Sequence, residues 1–214
     1  MNPLYLGTTA RRIFAIHEPP AATDCRPRAA VLCYPWDTEY TYAHRSMRQL
    51  ASRLSMSCYH TLRFDYFGTG DSNGDASQAD LAGCESDVEL AIETVMDIAG
   101  VSQVALIGLR AGANVAERVA LRLRSAVAAL VLWDPIVSGD LPGSDFRADI
   151  GSLPERTLIL VTQHLDEHQQ LTEAAGAKPV PMELVSAPCP WIEAATTTGA
   201  LPMKAIQRIE EWLR

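Results

Sequence analysis

The sequence predicts an α/β protein, a mostly parallel sheet with helices on both faces, over a single domain spanning residues 1–214. Three observations carry this reading. Short continuous apolar runs recur along the chain, of the kind buried on both faces in a parallel sheet. Segments with apolar residues at helical spacing separate them. One run, Val104–Leu109, passes through Gly-x-Arg-x-Gly directly into a helical pattern.

Taken in order, Leu4–Leu6 and Arg12–His17, split by Gly7-Thr8-Thr9, suit a leading hairpin at a sheet edge. A proline-rich loop from Pro19 to Arg28 leads into the strand Ala29–Tyr34, which Pro35 ends. Residues 43–54 bring Met47, Leu50, Ala51 and Leu54 to one helical face, with His44 and Arg45 at its start. The strand Cys58–Asp65 runs into a glycine-rich turn, Tyr66–Gly74. That turn lacks the Gly-Lys-Ser/Thr ending of a phosphate loop and the glycine spacing of a dinucleotide fingerprint, and Asp71 would repel phosphate. It reads as a structural turn. Residues 80–99 are the clearest helix: Leu81, Cys84, Val88, Ile92, Val95 and Ala99 form a stripe, opposed by Glu85, Asp87, Glu89 and Glu93. Gly100 closes it. The helix after Val104–Leu109 ends near Arg124, where Arg118, Arg122 and Arg124 suit a helix C-terminus. Ala128–Trp133, Thr157–Thr162 and Met182–Val185 complete the strands, and a terminal helix places Ile206, Ile209 and Leu213 on one side.

Composition narrows the classes. The chain is 48% hydrophobic and 21% charged, ordinary for a globular protein. A net charge of −8 argues against nucleic acid or an anionic membrane surface, both of which need a basic patch. No apolar run is long enough to insert into a bilayer, and the start, Met1–Tyr5, lacks a signal-peptide profile. Five cysteines (Cys25, Cys33, Cys58, Cys84 and Cys189) include no short-spaced pair and read as reduced thiols of a cytoplasmic protein. No metal or other cofactor is expected. His164-x-Asp166-x-His168 has too few ligands for a metal site and reads as solvated polar residues.

Right-handed crossovers gather functional groups at the C-terminal ends of parallel strands. Those ends supply Tyr34-Pro35-Trp36-Asp37, Asp65, Arg110, Asp134, Asp166 and the loop Cys189–Trp191. Val104–Val115 has the form of a nucleophile elbow, in which glycines two before and two after the central residue permit a sharp strand-to-helix turn. Its centre is Arg110, which stays protonated and has no lone pair with which to attack.

The order of elements and the motifs resemble the α/β-hydrolase superfamily over nearly the whole chain. The matching pieces are Cys33–Trp36 at the oxyanion-loop position, Arg63–Ser72, the Gly108–Gly112 elbow, and Asp166 after the seventh strand. More narrowly, Gly108–Gly112 and Val131–Gly139 resemble the exosortase-system-associated hydrolase-like proteins, serine-aminopeptidase-like relatives in which arginine commonly takes the elbow. The resemblance implies an eight-stranded, mostly parallel sheet. With only Pro135–Arg156 between the sixth and seventh strands, no lid domain is expected.

Carried across by position, the resemblance puts Arg110 at the nucleophile, Asp166 at the acid, and Pro188-Cys189-Pro190-Trp191 where the histidine loop should be. No histidine follows residue 168, so a Ser–His–Asp mechanism lacks its nucleophile and its base. A cation at a helix N-terminus, about 0.3–1 kcal/mol unfavourable, calls for a nearby anion. Asp166, Asp134 or Asp37 would supply it internally. Alternatively, Arg110 with Ala111 at the helix start, Tyr34, Trp36 and Asp37 on the loop, and Asp134 nearby would hold a carboxylate, phosphate or acyl-enolate ligand. Cys189 is the best surviving nucleophile, with His164 or His168 as base. Trp36 and Trp191 would wall the pocket or join the core, and Cys33 reads as core. Two readings follow: a non-hydrolytic accessory or ligand-binding protein of a biosynthetic pathway, or an atypical enzyme on acyl, thioester or lactone substrates. A small anionic or acyl ligand, a partner protein and a homodimer are the candidate partners.

Overall fold

The computed structural model describes residues 1–137, 153–162, 181–192 and 201–214. Among these, an eight-stranded sheet comprises β1 (Asn2–Gly7), β2 (Arg12–Glu18), β3 (Arg28–Cys33), β4 (Tyr59–Phe64), β5 (Val104–Leu109), β6 (Val127–Trp133), β7 (Thr157–Val161) and β8 (Met182–Leu184). The strand order is β1-β2-β4-β3-β5-β6-β7-β8. β1 and β2 form the predicted antiparallel hairpin, β2 is antiparallel to β4, and the six strands from β4 to β8 run parallel.

The helices are α1 (Asp37–Met56), α2 (Leu81–Ala99), α3 (Ala111–Arg122) and α4 (Met203–Leu213). Right-handed crossovers put α1 on one face and α2 and α3 on the other. α4 packs against α1, and α2 against α3. The central strands are apolar because helices cover both sides: Val31, Leu32, Leu106 and Ile107 are fully buried. β6 ends at Trp133 and β7 begins at Thr157, a passage too short for a lid domain. Among the described residues no helix is long and apolar enough to cross a membrane.

Gly100 ends α2 at φ 64°, a left-handed cap that glycine adopts without a Cβ penalty. The turn after β4 is structural, as expected: Asp65 accepts the Asp71 N–H at 3.0 Å, and Ser72 Oγ donates to the Asp65 carbonyl at 2.6 Å.

Three expectations are corrected. The first helix begins at Asp37, well before His44 and Arg45. Asp87 is not on the polar face of α2. It is 2% exposed, accepting from Arg11 Nη2 and from the Phe67 N–H, each at 2.8 Å. It thereby ties the β1–β2 turn and the post-β4 turn to α2, and burial pushes its carboxyl up. Glu85 and Glu89 do face outward, each meeting Arg122 of α3 at 2.7 Å. The third correction concerns the thiols: Cys25 and Cys58 are joined in a disulfide. Cys58 follows α1 in a left-handed conformation, φ 68°, and there it meets the proline-rich loop. The pair lies far apart in sequence, so cysteine spacing gave no sign of it.

The bond closes a loop across a separation of 33 residues. Chain-entropy arithmetic for such a loop predicts that Cys58→Ser lowers stability by about 3–4 kcal/mol. Urea unfolding midpoints of wild type and variant, each with and without reductant, check this, and only wild type should respond to the reductant.

Candidate functional site at the strand ends

Between β5 and α3 the chain reverses at Arg110, with φ 53° and ψ −125°. A methyl group on Gly108 would run into the Gly112 carbonyl and the Ala113 backbone. One on Gly112 would strike the carbonyls of Cys33 and Tyr34. The two glycines therefore let β5, α3 and the end of β3 close on each other. The Arg110 N–H donates to the Trp133 carbonyl at 3.0 Å, and the Arg110 carbonyl accepts from Ala113 N–H at 2.8 Å. Asn114, which the sequence reading passed over, pins α3 to the loop after β6: its side chain donates to and accepts from the Ile136 backbone at 2.7 and 3.0 Å.

The Arg110 side chain is 14% exposed. Its Nε donates to Glu39 Oε1 at 3.2 Å, its Nη1 reaches the Asp134 carbonyl at 3.4 Å, and its guanidinium lies 5.1 Å from the centre of the Trp191 ring. A counter-anion is present among the described residues, Glu39, which was not among those expected; Asp37 and the Asp134 carboxylate do not fill the role. Glu39 supplies it because α1 starts at Asp37, which brings Glu39 into the first turn facing the elbow. A carboxylate there also suits the positive end of α1. Burial raises the Glu39 carboxyl above its ordinary value, and Arg110 opposes that shift. Asp37 is exposed.

Asp134 is fully buried and turned the other way. Its two oxygens accept the Thr162 N–H at 2.7 Å and the Thr162 hydroxyl at 2.8 Å. Burial lifts its carboxyl to about 7, against the pull of Thr162 and Arg110. Cys189 is half-buried, and burial and Asp134 raise its thiol, with Thr162 and Arg110 opposing. A raised thiol is protonated and a poor nucleophile at neutral pH. Trp191 is 6% exposed and walls the guanidinium. Trp36 packs edge-on against Tyr66. Tyr34 contributes its carbonyl to the elbow contact, while its buried hydroxyl accepts from Arg63 on the far side. Cys33 is core. Ala111 opens α3 at 2% exposure, where first-turn amides have no intrahelical acceptor.

Arg110, Asp134, Cys189 and Trp191 are therefore brought together, while Asp166, His164 and His168 lie outside the described residues. Glu39 and Thr162 are the participants the sequence reading missed. Three or more potential metal ligands do not cluster anywhere among the described residues.

No family model matches the sequence, and no curated protein does. Solved structures match it across the fold. A putative α/β-hydrolase from Agrobacterium tumefaciens is 16% identical with a TM-score of 0.76, over 99% of this chain and 94% of that one. A predicted CIB-like hydrolase from Thermoplasma acidophilum is 16% identical with a TM-score of 0.69, over 99% and 97%. A lidless α/β serine hydrolase from Xanthomonas campestris is 20% identical with a TM-score of 0.66, over 86% and 82%. The chain has the α/β-hydrolase fold, in the form without a lid.

Glu39→Gln removes the anion facing Arg110 and is expected to cost about 1–2 kcal/mol, measured by chemical denaturation. Asp134 adds a pH dependence. Its folded pKa lies above the ordinary carboxyl value, so the folded state holds more protons and stability falls as pH rises from about 4 towards 7. Urea midpoints at pH 5 and pH 8 should differ less in Asp134→Asn than in wild type.

Proposed function

We propose that this protein is a non-hydrolytic member of its fold, an accessory or ligand-binding protein whose elbow arginine holds a charge rather than performing an attack. The observation that supports this is the engagement of Arg110 by Glu39, the Asp134 carbonyl and Trp191 at the position where the fold's enzymes carry a nucleophile. A guanidinium there has no electron pair to donate. It can bind a carboxylate, a phosphate or the oxygen of an acyl group, each of which would exchange with Glu39 for the same N–H donors. The proposed ligand is thus a small anionic or acyl molecule. A role beside a biosynthetic pathway follows from the resemblance to exosortase-associated proteins. A cytoplasmic location, part of the same reading, would leave the Cys25–Cys58 bond open to reduction.

The test is a turnover screen over short esters, thioesters and lactones, with intact-mass detection of covalent adducts. Wild type is expected to show no turnover above buffer and no adduct. Turnover that disappears in a folded Arg110→Ala variant would instead establish the rival reading, an atypical enzyme using Arg110 and the loop after β3. An acyl adduct on Cys189 would identify a replacement nucleophile.

A further inference from the structure

A cavity of about 260 Å³ lies under the first turns of α1 against the end of β4 and the neighbouring β2. It is separate from the Arg110 site: Glu39 of α1 meets Arg110, while the next residue, Tyr40, turns to Asp65 in this cavity. Its size is at the small end of ligand pockets, and Phe14 and Ile16 give it an apolar wall.

The cavity contains an unfinished arginine. Arg63 is 3% exposed, and its Nη1 donates to the Tyr34 hydroxyl at 2.9 Å. Among the described residues its Nη2 has only Met1 Sδ and a Glu18 oxygen, both at 3.9 Å, and its buried Nε has no partner. Buried guanidinium donors are normally satisfied, so this one is short of an acceptor. A plain anion would fit the arginine but not its surroundings. Glu18, Asp65 and Asp71 stand near the Arg63 guanidinium, His44 at the mouth is kept towards its neutral form by burial, Arg63 and Arg48 against the pull of Asp65, and burial keeps the lining Tyr34 and Tyr40 as neutral phenols. Asp65 is held by the Tyr40 hydroxyl at 2.7 Å and the Asp71 N–H at 3.0 Å, and retains free lone pairs. The Asp71 carboxylate is exposed and accepts no hydrogen bond among the described residues.

The geometry points to a binding site for a small zwitterion, an α-amino acid with an apolar side chain, with its carboxylate on Arg63 and its ammonium at Asp65 and Asp71. Arg63 lies near the end of β4 and Asp65 follows two residues on, so the extended chain puts both side chains on one face, and both line this cavity. A net-neutral ligand of this kind supplies the missing acceptor without adding to the local excess of negative charge.

Calorimetric titration of the full chain with L-leucine and L-phenylalanine tests the assignment, beside N-acetyl-L-phenylalanine, which lacks the ammonium, and phenethylamine, which lacks the carboxylate. At least one amino acid is expected to bind, and the two analogues at least about tenfold more weakly than L-phenylalanine. Asp71→Asn, at an exposed position, should weaken binding about tenfold, and Arg63→Met should abolish it. Absence of binding by both amino acids at about 20 mM overturns the proposal. So does an analogue that binds as tightly as L-phenylalanine, which would mark a simple anion or cation site. Undiminished binding in folded Asp71→Asn does the same, and that variant decides the matter if Arg63→Met does not fold.

Discussion

The structure depends on the approach of β5, α3 and the end of β3 at the elbow. Gly108 and Gly112 permit it, since a Cβ at either would meet backbone rather than a movable side chain. The consequence falls on the residue between them. Arg110 is driven to φ 53°, a region that non-glycine residues seldom occupy, and its side chain is thrown onto the strand-end surface. The backbone fixes where this side chain goes, and its identity decides what can happen there. A hydroxyl would stand ready for activation. A guanidinium is a permanent charge in search of an anion.

That charge explains the arrangement around it. Arg110 stands where α3 begins, a position unfavourable to a cation. Glu39 offsets this from the first turn of α1, where a carboxylate is itself favoured, so one ion pair improves the electrostatics of two helix starts. The Asp134 carbonyl and the Trp191 ring add contacts from the loops after β6 and β8. One side chain thereby joins α1, α3 and two loops across the end of the sheet. In an enzyme of this fold the same area would be kept open for substrate.

Sequence and structure agree where local pattern decides the outcome. The central strands β3, β5, β6 and β7 were legible because a strand covered on both faces is a near-continuous run of Val, Ile, Leu and Ala. The elbow was legible because tight packing of this kind admits only glycine. The partners were not. Glu39 looks like any acid in a helix start, and only the early beginning of α1 brings it to Arg110. Asp87 sits at a position that helical spacing assigns to the solvent, yet Arg11 and Phe67 come in from other elements to meet it. Asp134 was legible as a strand-end carboxylate. Its commitment to Thr162 was not, because that depends on β6 and β7 being neighbours. Arg63 had the same difficulty: in sequence it is one charged residue in a strand, and its unfilled Nε exists only once α1 covers it.

The direction of Asp134 supports the proposed non-hydrolytic reading. A carboxylate that orients a catalytic base must point at that base and stay ionised. Here both oxygens are occupied by Thr162, and burial raises the group towards neutrality. The same burial keeps Cys189 protonated, with Asp134 reinforcing it. At this site Asp134 is thus engaged by Thr162 and Cys189 is held in its protonated form. Replacing Arg110 alone would not release the Asp134 carboxylate, because Thr162, just after β7, holds it and Arg110 reaches only the Asp134 carbonyl. Arg110 is a cation already paired with Glu39, and in the binding role proposed above a ligand would have to displace that carboxylate.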